Sequence, residues 1–464
     1  MTNKIESKIK KIEFDQPQSA SPLGRYYGNG FKLGASRLVN SNNSRVGAFK
    51  ETEIGHLALK YVRAEGKKRE ASREESEQNE LQHPFFSGIL ERIIQSNGNT
   101  LGVTEKYYLP FSYVPASGPA PANYIQGIGS GDTKGEFTLV GTSGVSTKTP
   151  GYYGTIFQGK LETASTSTSS AGTGKWTTMV VPETFNSLGT SIYGVHNRGD
   201  QVYSLCGTYA SGNINHNIGW YYTGRIVSNP VSSDFKSFQA SGINFSTKQF
   251  GVADETILHS VSGNVIVGNY DFLGEGAPEG HAFALDILTG QQTDLNYGLN
   301  LNSSAYAVWA NNNDNYTIAG GETDLIKTDL LTGKPYGVAT LGDFCLSTKT
   351  LSGLKTYQYA NSSGKAFETH FEGIYYCGDG IYETAFTAVV NSQGATQGFS
   401  GVAFIKREAS GAFSDNATWY TFQNPTGTLI ASNDSVWANV SVGLQTTSSI
   451  SSNPASYACE LNLL

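Results

Sequence analysis

A chain of 464 residues with 54 glycines, 15% charged side chains and a net charge of −7 is not composed like a charge-rich helical enzyme. The acidic balance gives no overall attraction to nucleic acid or anionic lipid and favours neutral, cationic or protein partners. Four scattered cysteines (Cys206, Cys345, Cys377, Cys459), without a CxxC pair or a Cys/His cluster, argue against a zinc or iron–sulfur centre.

The first hundred residues read as an N-terminal extension. Residues 1–14 alternate Lys, Ile and Glu and lack the apolar core and cleavage site of a secretory signal. No apolar run in the chain approaches the roughly eighteen residues of a spanning helix, so no membrane span is expected. Residues 60–80 (KYVRAEGKKREASREESEQNE) carry both charges densely and suit a solvated helix or connector. The following PFFSGILERIIQSNG places Phe86, Ile89, Leu90, Ile93 and Ile94 on one helical face, opened by Pro84 and stopped by Asn97–Gly98. So short a helix is marginal alone. Its five apolar side chains must dock on the main domain or on a second subunit or partner protein, which makes them candidate oligomerisation residues.

From residue 101 to 464 the helical period vanishes. Short β-branched and aromatic runs alternate with Gly, Asn, Ser and Thr turns. One element recurs as EFTLVGTS (136–143), VYSLCGTY (202–209), NVIVGNYD (264–271), NYTIAGGE (315–322), YETAFTAV (382–389) and ANVSVGLQ (438–445). Its anchors, Gly141, Gly207, Gly268, Gly320, Phe386 and Gly443, are 66, 61, 52, 66 and 57 positions apart, room for four strands with long loops. An apolar strand precedes each anchor: 124–128, 192–195, 257–261, 305–309, 370–374 and 435–440. A third follows at 151–161, 218–226, 280–287, 325–330, 401–407 and 456–464, and a fourth is visible at 175–182, 235–241 and 418–425. Four strands per unit are the content of a propeller blade.

The sixth unit ends after its third strand, yet a fourth-strand block, KYYLPFSYVP (106–115), stands ahead of the first unit. If it completes the last blade, the ring closes and no sheet edge is left open. The expected fold is therefore all-β: a six-bladed β-propeller closed by an N-terminal strand, with a smaller mixed or helical N-terminal extension. GNVIVGNYD (263–271) followed by GHAFALDILTG (280–290) also resembles the bacterial proteins with HAF-type extracellular repeats, and AYAVWANNNDNYTIAGG and THFEGI are similar to further units of them. The resemblance implies a repeated β-fold in surface or exported proteins and brings no catalytic residues.

Candidate chemistry is sparse. His196, His259 and His370 lie in or beside first strands, which line the channel of a propeller, and imidazoles converging there could act as bases or ligands. Trp309 and Trp437 occupy similar strands and suit stacking on sugar rings, although aromatic residues also build blade cores. His281 belongs to the repeat and reads as structural. Asp271, Glu275 and Glu279 in one loop, and Asp314, Glu322 and Asp324 around another, make calcium the one cation to consider, yet they lack the spaced ligands of a dedicated loop. Otherwise no cofactor or metal is expected. GIGSG (127–131) is followed by a strand and reads as a turn, not a phosphate loop. No nucleophile elbow, Walker motif or HExxH occurs, so no catalytic residue is assigned. The leading expectation is a non-enzymatic surface or assembly protein, extracellular or cell-surface, with a propeller platform and a docking region in residues 1–100. A glycan-binding module, or a channel-site enzyme acting on carbohydrate, are the alternatives.

Overall fold

A computed structural model describes residues 103–111 and most of 122–463, the undescribed positions lying in links and at strand ends. The segments expected in residues 1–100, with Phe86, Ile89, Leu90, Ile93 and Ile94, lie outside the described residues. The described strands form six antiparallel blades. Blade 1 contains Ala122–Ser130, Phe137–Gly144, Tyr152–Gly159 and Gly174–Met179. Blade 2 contains Ser187–Gly199, Val202–Ser211, Asn217–Gly224 and Phe235–Phe238. Blade 3 contains Glu255–Ser262, Val265–Asp271, His281–Asp286 and Gln291–Asp294. Blade 4 contains Asn302–Ala310, Asn315–Thr328, Pro335–Cys345 and Thr350–Tyr357. Blade 5 contains Gly364–Gly378, Ile381–Ser392, Ala395–Lys406 and Thr418–Thr421, plus a two-residue strand, Ala360–Asn361, paired to the start of the first.

Blade 6 is assembled from both ends of the described chain. Thr428–Trp437, Val440–Thr447 and Ala455–Leu463 are joined by Val103–Phe111, which pairs antiparallel with the last strand from Val103↔Leu463 to Phe111↔Ser456. The first strands of neighbouring blades touch all the way round, including blade 6 to blade 1, so the ring is closed. The expected six-bladed, strand-closed propeller is the observed one.

Several boundaries differ from the sequence reading. Residues 325–328 do not form a third strand; they continue the second strand of blade 4, and the third is Pro335–Cys345. The block 435–440 straddles a turn, where Trp437 pairs with Val440 and Ala438 takes a positive φ of 55°. Residues 127–130 lie inside the first strand of blade 1, so GIGSG is mostly strand and only its last glycine enters the turn.

The repeated glycine has a steric cause. Every first strand carries a β-bulge, and in blades 1–4 and 6 the residue just before it pairs with the anchor glycine: Ile125↔Gly141, Ile192↔Gly207, Leu258↔Gly268, Ala305↔Gly320 and Asn433↔Gly443. A Cβ added at Gly141, Gly207, Gly268 or Gly320 would lie 2.0 Å from a carbonyl oxygen of the bulged strand, and at Gly443 2.3 Å. Blade 5 keeps the bulge opposite Phe386, whose ring instead stacks on Tyr359 in the interface with blade 4 (5.2 Å).

The apolar side chains of the described residues form six clusters, each lying between two neighbouring blades. Trp220 illustrates how they are satisfied: it is fully buried between blades 1 and 2, and its Nε1 donates to the carbonyls of Ser191 and Thr208. The cluster between blades 6 and 1 takes Tyr108 from the closing strand, with Val440, Val442 and Ala458 facing Ile125, Leu139 and Phe157. Among the described residues no helix is long and apolar enough to cross a membrane.

A polar clamp joins blades 4 and 5 nearer the surface. Both terminal nitrogens of Arg407 donate to the two oxygens of Asp343 (2.7 Å each), while its guanidinium lies 4.1 Å above the Phe413 ring. Lysine keeps the charge but loses the planar fork and the stack. Arg407→Lys is therefore expected to lower stability by about 1–2 kcal/mol, read as a fall of a few degrees in thermal midpoint. A midpoint equal to that of the parent protein would show that the clamp is only superficial.

Candidate functional site

The bulges decide what reaches the axis. An extra residue in a bulge leaves the ladder and re-aims its side chain. Next to the anchor positions the extra residues are Gln126, Tyr193, His259, Tyr306, Glu372 and Asp434, one such residue per blade. Each is followed by a small residue and then Ile or Val: Gly127–Ile128, Gly194–Val195, Ser260–Val261, Ala307–Val308, Gly373–Ile374 and Ser435–Val436. The small residue lets the next inner strand approach. A Cβ at Gly127 would lie 2.2 Å from the Tyr193 oxygen, and one at Gly373 2.7 Å from the Ser435 Cα. The Ile or Val enters the inter-blade core.

Four rings run in sequence across blades 2 to 5. Tyr193 lies 5.7 Å from His259, His259 4.8 Å from Tyr306, and Tyr306 5.6 Å from His370, between ring centroids. At the end of this series His370 Nε2 meets Glu372 Oε1 at 3.0 Å, and its Nδ1 lies 3.9 Å from Glu368. On the neighbouring blade 6, Asp434 is buried. The structure thus brings His259 and His370 to opposite sides of Tyr306. His196, Trp309 and Trp437 sit one step beyond the conserved-size Ile/Val position of their strands, at a different level from the bulges. There Trp309 and Trp437 meet at 5.7 Å and share Tyr375 (5.2 and 5.4 Å), packed on the core between blades 5 and 6. Sequence reasoning singled out His259, His370 and the two tryptophans but missed Gln126, Tyr193, Tyr306, Glu372 and Asp434. The small residue followed by Ile or Val was the signal that marks them.

The two axial histidines are shifted in opposite directions. Burial pushes the His259 imidazole down to about 4, against the hydrogen bond to Asn269 (2.6 Å) and the charge of Glu372. A carbonyl oxygen only accepts, so neutral His259 carries its proton on Nε2. Burial also opposes charge on His370, but the hydrogen bond and charge of Glu372, with Glu368, outweigh it and raise the group above its ordinary value. Burial together with Glu372, Glu368 and Asp271 suppresses ionisation of Tyr306.

These shifts have opposite linkage signs. Unfolded His259 binds a proton below about 6.5 while folded His259 does not until about 4, so stability should rise with pH across that window, by about 3 kcal/mol. The His370 contribution is fully present below its unfolded value and is lost as pH rises through its raised folded value. Imidazole NMR titration should give a midpoint near 4 for His259 and one above 6.5 for His370. The reverse order would contradict the ring geometry.

The acidic loops do not assemble a cation site from the described residues. Asp314 accepts from the backbone nitrogen and hydroxyl of Ser347 (2.8 Å each), in the turn between the third and fourth strands of the same blade. Glu275 and Glu279 lie outside the described residues, as does the side chain of Asp324. Among the described residues, no group of three or more His, Cys, Asp or Glu side chains is arranged to hold a metal. All four cysteines are free thiols, three of them buried.

No protein-family model and no curated protein matches the sequence. Solved structures are similar in fold at low identity. One is the β-propeller domain of the trilobed protease from Pyrococcus furiosus, 9% identical, with a TM-score of 0.35 over 74% of this chain and 95% of that one. Another is a protein of unknown function from Dyadobacter fermentans, 8% identical, with a TM-score of 0.42 over 78% of this chain and all of the other. A third, levansucrase from Bacillus subtilis, is 10% identical, with a TM-score of 0.33 over 75% of this chain and 87% of that one. Likeness at this level carries no functional argument, and the propeller assignment stands on the strand pairings themselves.

Proposed function

We propose that this protein is a non-enzymatic interaction or assembly protein whose propeller is a rigid platform. The observation that carries the reading is the engagement of the axial ring. His259 Nε2 is bonded to Asn269 and His370 Nε2 to Glu372, so each imidazole has one nitrogen engaged by a residue of its own blade. The six inter-blade clusters fix the relative positions of the blades, as a platform requires. The resemblance of residues 263–290 to HAF-type repeats supports a surface or exported setting. Residues 84–94 supply a docking element in this reading, with the five apolar side chains Phe86, Ile89, Leu90, Ile93 and Ile94.

The axial aromatics favour glycan binding as a second reading, since Tyr193 and Tyr306 bring partly exposed apolar rings with hydroxyls to the axial level. The test separates binding from turnover. Purified protein is incubated with a panel of polysaccharides, and reducing ends and unsaturated products are measured for the parent, Glu372→Gln and His370→Ala. No turnover that depends on these residues is expected. Activity in the parent that disappears in Glu372→Gln would replace the platform reading with a channel enzyme.

A further inference from the structure

The link between blades 2 and 3 contains a hairpin that the repeat does not require. Ser241–Ile243 pairs with Phe250–Val252, with Ile243 opposite Phe250 and Gly242 opposite Gly251. Opposed residues share a face, so the hairpin has a glycine face and an apolar face. The glycine face lies on blade 3: a Cβ at Gly242 would overlap the Tyr270 hydroxyl at 1.8 Å, and one at Gly251 would touch Phe272 at 3.9 Å. The apolar face is left in solvent, with Phe250 75% exposed, Val252 60% and Ile243 50%, beside Leu273 at 57%. Scattered exposed apolar residues are ordinary, but three on one short hairpin, with Leu273 in the blade 3 loop that bonds to Asp254, form a patch.

The surroundings of the patch are acidic. Asp254 and Glu255 follow the hairpin directly, Asp254 accepts from the Leu273 nitrogen (2.8 Å), and Glu255 pairs with Asp271. Asp271 in turn contributes, with Glu368 and Glu372, to the negative charge around Tyr306 at the channel. The one basic side chain within the hairpin, Lys248, lies over the Phe245 ring at 5.9 Å. Apolar side chains and carboxylates therefore lie side by side at this end of blade 3. We infer that this surface docks a basic peptide segment of a partner protein, with apolar side chains interspersed among its lysines. The apolar groups cover Phe250, Val252 and Ile243, and the ammonium groups meet the acidic edge formed by Asp254 and Glu255. This rests on the platform reading and names its partner by chemistry.

The probe is a fluorescent twelve-residue peptide of repeated Lys–Ile–Ser–Lys, with a Glu–Ile–Ser–Glu counterpart, titrated by anisotropy against the full chain. The basic peptide should bind and the acidic one should not, with affinity falling as salt is raised. Phe250→Ser with Val252→Ser should weaken binding about tenfold through lost apolar contact. Asp254→Asn with Glu255→Gln, or Asp254→Asn alone should the pair fold poorly, should weaken it and flatten the salt dependence. Equal binding of both peptides overturns the basic-partner inference and leaves the platform standing. Failure of both peptides, with a drop in particle mass by light scattering for Phe250→Ser, overturns it in favour of a second copy as occupant. Failure of both with no change in mass removes this surface from the platform reading altogether.

Discussion

A chain beginning at residue 112 is expected to aggregate or to unfold more than about 10 °C below a chain beginning at residue 101. The difference between them contains the closing strand, Val103–Phe111. Its removal leaves Ala455–Leu463 as an open edge nine residues long and takes Tyr108 and Val103 out of two inter-blade clusters. Burial of each such side chain is worth roughly 1.5–3 kcal/mol, against a whole-protein stability of about 5–15. Side-chain anchors go with it. Tyr108 donates to Glu460 (2.7 Å), and Glu105 accepts from the Tyr420 hydroxyl (2.9 Å) and the Gln423 nitrogen (3.0 Å), tying blade 6 to blade 5. A synthetic peptide of residues 103–111 added in trans should restore part of the lost midpoint by strand addition. Equal melting of the two truncated chains would mean that blade 6 holds with three strands.

Gly268→Ala should be nearly as damaging, although it adds one methyl group. The new Cβ would sit 2.0 Å from the Ile257 oxygen and 3.1 Å from its carbonyl carbon, both backbone atoms that no rotamer change can move. Relief requires the first strand of blade 3 to leave its bulge, and that bulge places His259 between Tyr193 and Tyr306. A loss of at least about 3 kcal/mol is expected, the upper range for overpacking a close-packed interior. Gly290→Ala is the control: its φ of 71° disfavours a side chain, but nothing lies within 4 Å of the added atom. That change should lose about 1 kcal/mol. Chemical denaturation of both variants gives the comparison, and similar midpoints would dismiss the carbonyl contact as the origin of the repeat.

The same contact explains why the architecture could be read from the amino acids. A glycine forced by a backbone oxygen recurs at Gly141, Gly207, Gly268, Gly320 and Gly443 whatever the blade's surface does. The closing strand was visible because its apolar and aromatic content matches the other outer strands, although it begins at Val103 and not at 106. Outer strands facing water gave weaker signals. Gln291–Asp294 and Thr350–Tyr357 are largely exposed or intermediate, carry little apolar alternation, and were not recognised. The hairpin at 241–252 escaped because it lies outside the period. The axial ring was hidden for a different reason: a bulged residue is released from the ladder, so its identity is free to vary from Gln to Tyr, His, Glu and Asp. Only the neighbours that must pack keep a common character.

Closure by the N-terminal strand also sets an order of events during synthesis. Tyr108 and its partner Glu460 are 352 positions apart. At a ribosomal rate of about 5–20 residues per second, the closing strand emerges roughly 20–70 seconds before the strand it must pair with. Blades 1 to 5 can collect their local pairings meanwhile, since each is contiguous in the chain. Val103–Phe111 has no sheet to join until Ala455–Leu463 leaves the exit tunnel. The nascent chain therefore carries a waiting strand through all five intervening blades. Folding of the last blade waits on synthesis of its third strand, and a chain that stops short of that strand leaves the ring unlatched.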